Sequence, residues 1–399
     1  EIASCLVGSE MCIRDRILNN IPLPIIRFLR DYKFQGASEK EMFRNIGVGV
    51  DYSCQPKVLL CYVTNTFHVQ DWAKQKGTRG VECAALIESL VNNNCRIDVC
   101  AYNYDGTISN DYDYVMGFGP AYRKALERNP QAKSILYLTE KPPFYSLQKE
   151  KERIAYLYER HHIKAPVNRS GLFFNDEDID NADYIVMIGK NGDEKLLTSK
   201  KVFLISPTGL KSDGYDLKNK DFNKAKKHFL WMGSRGAVLK GLDILYDAFS
   251  EMPDLVLHVA GLDSVDRRML SKIKPSNVID HGYLQIGSES ANKVFNECAF
   301  FLFPSCTEGV STSTLTAMNF GLIPLITRET SVETNGIDYL KSFHVNDIVE
   351  EVEKWSEADS STLSKQAELV RGFAKDRYSL NRYSQTMSHI LQMIFNYEQ

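Results

Sequence analysis

Apolar and polar positions along this chain fall into a pattern that recurs twice, a short apolar run followed by a segment of helical period. The first clear run covers 57–63 and ends in the polar loop 64–79. A helix follows over 80–92, where Val81, Ala84, Ala85, Ile87 and Val91 keep near-helical spacing. A second run over 96–101 completes a strand–loop–helix–strand unit, which implies a parallel sheet with a right-handed crossover. Runs over 114–117, 134–138, 182–188 and 201–205 extend that sheet, with a charged helix over 150–159 between two of them. The polar, lysine-rich stretch ending at 227 has no period and reads as an interdomain linker.

The alternation then restarts more clearly. Strands over 228–232, 255–260, 277–280, 300–303 and 323–327 are separated by helices over 241–251, 264–273, 289–297 and 313–320. The runs are apolar throughout, as strands buried on both faces require. Upstream, 22–49 has a weakly helical pattern carried by Ile25, Ile26, Phe28 and Leu29, then by Met42, Phe43 and Ile46. Downstream, Leu380, Tyr383, Met387, Ile390, Leu391 and Ile394 form one apolar stripe, so the last helix packs on something.

The predicted fold class is therefore α/β, with two Rossmann-like, doubly wound parallel-sheet domains. The expected divisions are a non-native leader over 1–16, a helical extension over 17–56, an N-terminal domain over 57–207 and a linker over 208–227. A C-terminal domain over 228–379 and a final helix over 380–399 complete the chain. Ligands of such sheets sit beyond the carboxyl ends of the strands, so two facing domains make a cleft with a binding edge on each wall.

Composition narrows the function. With 43% hydrophobic and 25% charged residues the chain can bury two ordinary cores. A net charge of −3 argues against a nucleic-acid binder that works by bulk electrostatics, while leaving room for local phosphate pockets. Nine cysteines without a CxxC pair, several of them in apolar runs, read as buried thiols in a reducing, cytoplasmic compartment. No run approaches the roughly 20 apolar residues of a spanning helix, so any membrane contact is expected to be peripheral. The first sixteen residues lack the basic start and apolar middle of a secretion signal and read as a leader foreign to the fold.

The segment with the most chemistry is 301–327. A buried strand ends at Pro304, a loop carries Glu308 and Gly309, and a helix opens near Ser311. Backbone N–H groups of Val310, Ser311, Thr312 and Ser313 at the positive end of that helix would form an anion site. The same residues serve equally well as a helix cap beside a surface glutamate. A second segment, 229–249, sets Arg235 and Lys240 in a glycine-containing loop after a strand, where such cations can neutralise a diphosphate. Alone, this is an ordinary solvated loop. His161 and His162 lack metal-ligand spacing, and Asp111/Asp113 and Asp178/Asp180 read as solvated acids.

These two segments resemble family-4-type retaining glycosyltransferases (glycosyl transferases group 1), which have the GT-B fold. Pro304, Ser305, Glu308, Gly309, Ala317, Met318, Gly321 and Pro324 stand in the order of that family's signature. Lys240, Gly241, Asp243 and Leu245 match its first strand–loop–helix, with Arg235 five residues before Lys240. The resemblance covers about a quarter of the chain, 228–330. Weaker agreements are Arg79, Gly80, Val81 and Glu82 at the first helix, and Tyr283 where the nucleotide base would rest; Lys74, Lys76 and Arg79 offer cations to an anionic acceptor or the sugar but read better as a solvated loop.

The resemblance implies transfer of a sugar from a nucleotide diphosphate sugar to a hydroxyl, with retention, in surface polysaccharide or glycoconjugate synthesis. Glu308 would orient the donor sugar, and Gly309, Val310, Ser311 and Thr312, with Arg235 and Lys240, would hold the diphosphate without a metal or cofactor. The acceptor would be a glycan or a lipid-linked molecule, with no nucleic acid as partner. The last helix would cross back onto the N-terminal domain. The family's second glutamate, which grips the ribose, falls on Thr316, and a hydroxyl lacks the charge and two-oxygen reach of a carboxylate. That departure leaves open a non-catalytic sugar-nucleotide binder and, with the same cleft, a sugar-nucleotide epimerase. No Walker loop, nucleophile elbow or GxGxxG after the first strand supports another nucleotide chemistry.

Overall fold

The structure, a computed structural model, describes residues 41–47, 55–64, 67, 77–197, 200–212 and 214–396. The leader 1–16 and most of the expected extension 17–56 lie outside these residues. The N-terminal half contains β1 (Met42–Ile46), β2 (Lys57–Tyr62), α1 (Thr78–Asn92), β3 (Arg96–Ala101), β4 (Tyr114–Gly117), α2 (Gly119–Arg128), β5 (Lys133–Leu138) and α3 (Pro143–His161). It continues through α4 (Asp176–Asp180), β6 (Tyr184–Ile188) and β7 (Val202–Ile205).

Then come α5 (Phe222–Ala225) within the expected linker, β8 (His228–Met232), α6 (Leu242–Glu251), β9 (Val256–Ala260), α7 (Ser264–Leu270), β10 (Val278–Asp280) and α8 (Glu289–Glu297). Then follow β11 (Phe300–Phe303), α9 (Thr312–Asn319), β12 (Ile323–Ile326), α10 (Val345–Ser356), α11 (Ser360–Arg377) and α12 (Leu380–Asn396).

Among the described residues the strands form a seven-stranded sheet of order β1-β3-β2-β4-β5-β6-β7 and a five-stranded sheet of order β10-β9-β8-β11-β12. Central strands such as β2 and β11 are buried along their whole length, which is why their sequences are continuously apolar. Pro324 sits in β12, an edge strand, where a missing N–H costs no ladder bond. In the second sheet the chain runs β8, β9, β10 to one side and then returns to β11 on the other. The ends of β8 and β11 therefore flank a topological switch point, where doubly wound sheets bind ligands. The expected pair of doubly wound sheets is present.

Four local expectations change. Met42, Phe43 and Ile46, read as helical, lie in strand β1, which pairs antiparallel with β3. Their spacing is compatible with a helix, but the open edge of β3 supplies ladder bonds that outweigh a weak local preference. Asp98 adds a specific hold, accepting from the Asn45 N–H at 2.8 Å and the Tyr112 hydroxyl at 2.7 Å. Asp178 is no solvated acid: it completes a capping box with Asn175 on α4 and pairs with Arg123 at 2.7 Å. Asp113 accepts the Lys57 N–H at 2.7 Å, and the Lys57 ammonium bonds Asp111 at 2.6 Å.

The linker is the fourth. Three of its polar residues serve structure, Asp216 and Asp221 capping short helical turns and Lys220 bonding inside. Lys220 is buried and donates to the Cys298 carbonyl at 2.7 Å, and burial pushes its ammonium down to about 7. Glu82 on α1 accepts the Thr208 N–H at 2.9 Å, with burial raising its carboxyl to about 7.

The last helix does cross back. Tyr383, Met387, Ile390, Leu391 and Ile394 of α12 are buried, and α12 packs along α1. Two hydroxyls fix its register, since Tyr383 meets Tyr137 at 2.9 Å and Ser388 accepts from Asn93 at 3.1 Å. Among the described residues no helix is long and apolar enough to cross a membrane. Cys61, Cys83, Cys95, Cys100, Cys298 and Cys306 are buried free thiols.

A ladder of three imidazoles crosses the second sheet. His228 lies 2.9 Å from His258, and His258 lies 2.8 Å from His281. Burial first, then the two neighbouring rings, push His258 down to about 3. The sign follows directly: between about 6.5 and about 3 the unfolded chain binds a proton that the folded chain refuses, so stability falls as pH falls. Between pH 7 and pH 5, urea unfolding of the wild type should lose about 2 kcal/mol more than that of His258→Gln. Equal losses would show that His258 is not held neutral.

Candidate functional site

The site begins with two loops at the switch point, 233–241 after β8 and 304–311 after β11. The first is held from below. The Gly236 and Ala237 N–H groups donate to buried Asp266 at 2.8 and 3.0 Å, and the Lys240 carbonyl accepts from Trp231 at 3.2 Å. Gly241 begins α6 with φ +75°, and a Cβ there would stand 2.7 Å from Pro304 of the second loop. Only glycine allows that approach and that backbone. The loops are further joined where the Cys306 N–H donates to the Leu239 carbonyl at 3.0 Å.

This joining brings Lys240 and Glu308 together. The ammonium lies 3.7 Å from the carboxylate and donates to the Arg235 carbonyl at 2.9 Å. Lys240 is buried, which lowers its affinity for a proton, and Glu308 opposes that shift. Ser305 donates to the Glu308 carboxylate at 3.3 Å. Arg235, also buried, turns toward the N-terminal domain, its Nε donating to the Asn168 carbonyl at 2.6 Å.

The helix start is partly committed to the protein itself. Ser311 is the N-cap of α9; its hydroxyl accepts from the Thr314 N–H, and its own N–H donates to the Thr330 carbonyl at 3.0 Å. The expectation that the Ser311 N–H is free for a ligand is thereby corrected. Gly309, Val310 and Thr312 line the same turn, with Val310 buried. Thr316 is buried, accepts the Leu210 N–H of the linker at 3.1 Å and donates to the Thr312 carbonyl at 2.8 Å. Its hydroxyl thus anchors the linker. Tyr283 follows β10, two strands from β8, and is 66% exposed.

The opposite wall comes from the N-terminal domain, and it is closed. A Cβ on Gly309 would lie 2.6 Å from the Thr139 carbonyl, so this glycine serves contact between domains. Arg153 of α3 donates to the Pro304 carbonyl at 3.0 Å and lies over the Phe343 ring. Arg160 pairs with Asp243 and Asp247, and His161, to which the sequence assigned nothing, meets Asp247 at 2.8 Å. Arg169 pairs with Glu140 at 3.0 Å, and Lys141 with Asp193. Between these groups and Glu308 remains a crevice of about 10 Å³.

Sequence reasoning missed this wall. Glu150 and Arg153 sit in a run of lysine, glutamate and arginine that reads as a solvated helix, yet both are buried. Their spacing of three places them on one face of α3, but nothing local says that this face meets another domain. Of the weaker candidates, Arg79 is exposed on α1 with its guanidinium 5.6 Å from the Phe173 ring, and Lys74 and Lys76 lie outside the described residues.

Residues 226–356 match the family model described as Glycosyl transferases group 1. The matched segment holds both loops of the site. The chain has the GT-B fold of solved structures that include HepE of Anabaena with UDP and glucose (TM-score 0.52, 12% identity, covering 85% of this chain and 99% of that one). The sucrose-phosphate synthase of Thermosynechococcus elongatus is similar (TM-score 0.57, 12% identity, 86% and 99% covered). The chain spans 55% of the S. aureus TarM structure and 70% of its own length there, at 14% identity and a TM-score of 0.49. No curated protein matches the sequence.

The Gly309 contact is testable. Gly309→Ala places a methyl against the Thr139 carbonyl, an overpacking worth about 1–3 kcal/mol. The domains should part, and the radius of gyration from X-ray scattering should rise. An unchanged scattering curve would mean that the contact is not kept in solution.

Proposed function

We propose that this chain transfers a sugar from a nucleotide diphosphate sugar to a hydroxyl of a glycan or lipid-linked acceptor, with retention. The observation that carries the reading is the meeting of Lys240 and Glu308, from two separate loops, at the switch point and beside the start of α9. A cation, a carboxylate and a helix N-terminus at one point suit a phosphorylated sugar: the first and third meet phosphate charge, the second accepts from sugar hydroxyls. Lys240, Arg235 and the α9 start, rather than a metal ion, would stabilise the departing diphosphate.

In the transfer, the acceptor oxygen bonds to the anomeric carbon as the bond from that carbon to the phosphate oxygen breaks, and the acceptor's proton passes to the phosphate. Glu308 orients the sugar during this exchange. Tyr283 offers an open ring on which a nucleotide base can stack. The HepE structure contains UDP and glucose, which supports UDP-glucose as the first donor to try. A role in surface polysaccharide or glycoconjugate synthesis and a cytoplasmic location fit this donor and the buried thiols.

Thr316 supports a second reading. Its hydroxyl holds the linker at Leu210, in the place where a carboxylate would take the ribose. A donor bound without that grip suits a non-catalytic sugar-nucleotide binder.

Calorimetry with UDP-, GDP- and ADP-sugars, paired with hydrolysis and transfer assays, separates the two. Lys240→Ala should weaken donor binding by about 1.5–3 kcal/mol. Glu308→Gln should leave binding largely intact and cut transfer about 100-fold, the scale of losing one transition-state contact. Undiminished transfer in Glu308→Gln would remove that residue from the mechanism, and binding without any turnover in the wild type would favour the scaffold.

A further inference from the structure

The crevice at Glu308 is walled by an ion pair that the donor-site residues do not explain. Glu140 follows β5 and Arg169 follows α3, so both belong to the N-terminal domain. Their side chains meet at 3.0 Å and are largely buried, 14% and 20% exposed. A buried pair of this kind costs desolvation that attraction only partly returns, so its position calls for a reason.

The backbone beneath Arg169 is unusually well held. Glu150, 3% exposed, accepts three successive N–H groups, those of Asn168, Arg169 and Ser170, at 2.9, 3.2 and 2.8 Å. The Asn168 carbonyl takes Arg235 of the other domain at 2.6 Å. The loop is therefore pinned from both sides, and the Arg169 side chain can exchange partners without backbone movement. It stands over the loop that contains Lys240: a Cβ built on Gly236 would be 3.7 Å from the Arg169 Cβ and 3.7 Å from the Lys240 ammonium. Its charge is favoured first by Glu140 and further by Glu308.

Glu140 lies on the opposing side. It lines the crevice with Glu308 and Gly309, and its Cα would be 3.3 Å from a Cβ on Gly309. Its carboxylate thus puts negative charge near the α9 start, where the proposed donor would put phosphate. Carboxylate and phosphate present the same pair of oxygens to a guanidinium.

We propose that Arg169 is a donor-phosphate ligand contributed by the N-terminal domain, and that Glu140 is the internal anion it holds until a nucleotide diphosphate takes its place. This rests on the donor-site reading of Lys240 and Glu308. In that reading Lys240 is balanced by Glu308 and the Arg235 Nε is committed to the Asn168 carbonyl, so a diphosphate gains from a third cation, and Arg169 is already aimed over the loop. Exchange of partners also accounts for the closed crevice: the wall at 139–140 withdraws as phosphate enters, and Arg169 remains with the donor.

The test uses the full chain and two readouts. Binding of UDP, GDP and ADP is measured by calorimetry, and the tightest is carried through the variants. Arg169→Ala should weaken it about 10-fold or more, as loss of a charge-assisted contact does, with Arg169→Lys intermediate. Glu140→Gln should tighten it about 3- to 5-fold by removing the competing anion. Without nucleotide, X-ray scattering should show both Arg169→Ala and Glu140→Gln more open than the wild type. Changes of the same sign in binding for Arg169→Ala and Glu140→Gln, or no change in either, overturn the proposal. Lys240→Ala is run alongside. If it binds the nucleotide as tightly as the wild type, the donor-site reading has failed. If it loses binding while Arg169→Ala does not, only the assignment of Arg169 has failed.

Discussion

The structure depends on a need to neutralise charge in a place from which water has been pressed out. Glu140, Arg169, Glu308 and Lys240 meet between the domains with signs alternating, two from each domain. None is tolerable there alone, because an unpaired buried charge costs several kcal/mol. The charge of Arg169 is also favoured by Glu308 across the crevice, so a ligand that supplies or removes charge there acts on both pairs.

Around that centre the fold supplies rigidity. Two parallel sheets place the carboxyl ends of β8 and β11 against the N-terminal domain, and glycines at 241 and 309 let the loops come within backbone distance of their neighbours. Helix α12 returns to α1, so the domains are joined by the linker and by the crossing helix. Buried polar groups hold both connections: Glu82 and Thr316 receive N–H groups of the linker, and the Tyr137–Tyr383 hydroxyl pair fixes the crossing. Motion between the domains has to work against these bonds, which suits a closure that is specific rather than loose.

The legible part of the site lay where local pattern and chemistry coincide. Lys240 and Glu308 each follow a buried strand and precede a helix, and a strand's end on a doubly wound sheet is a place where polar groups gather. Arg169 and Arg153 had no such signature, and Glu140, though it follows β5 and precedes α3, was not singled out. Arg153 and Arg169 sit in polar surroundings that look solvated, and what buries them includes segments of the other domain, Pro304 for Arg153 and Gly236 for Arg169, remote in sequence. Ser311 was found as the start of a helix and Thr316 as the position of the family's second glutamate, but the Thr330 carbonyl that takes the Ser311 N–H and the Leu210 N–H that meets the Thr316 hydroxyl are both set by tertiary contacts.

Taken by itself, the sequence determined the architecture: strand order in time, the two sheets and the apolar stripe that brings the last helix back. It could do so because period and burial are local properties repeated over several residues, and repetition averages out single exceptions. The tertiary structure alone decided that 42–46 is an edge strand, that a lysine-rich linker is docked, and which charges face one another across the cleft. Those outcomes depend on single contacts between remote segments, where one hydrogen bond or one neighbouring charge outweighs any local preference.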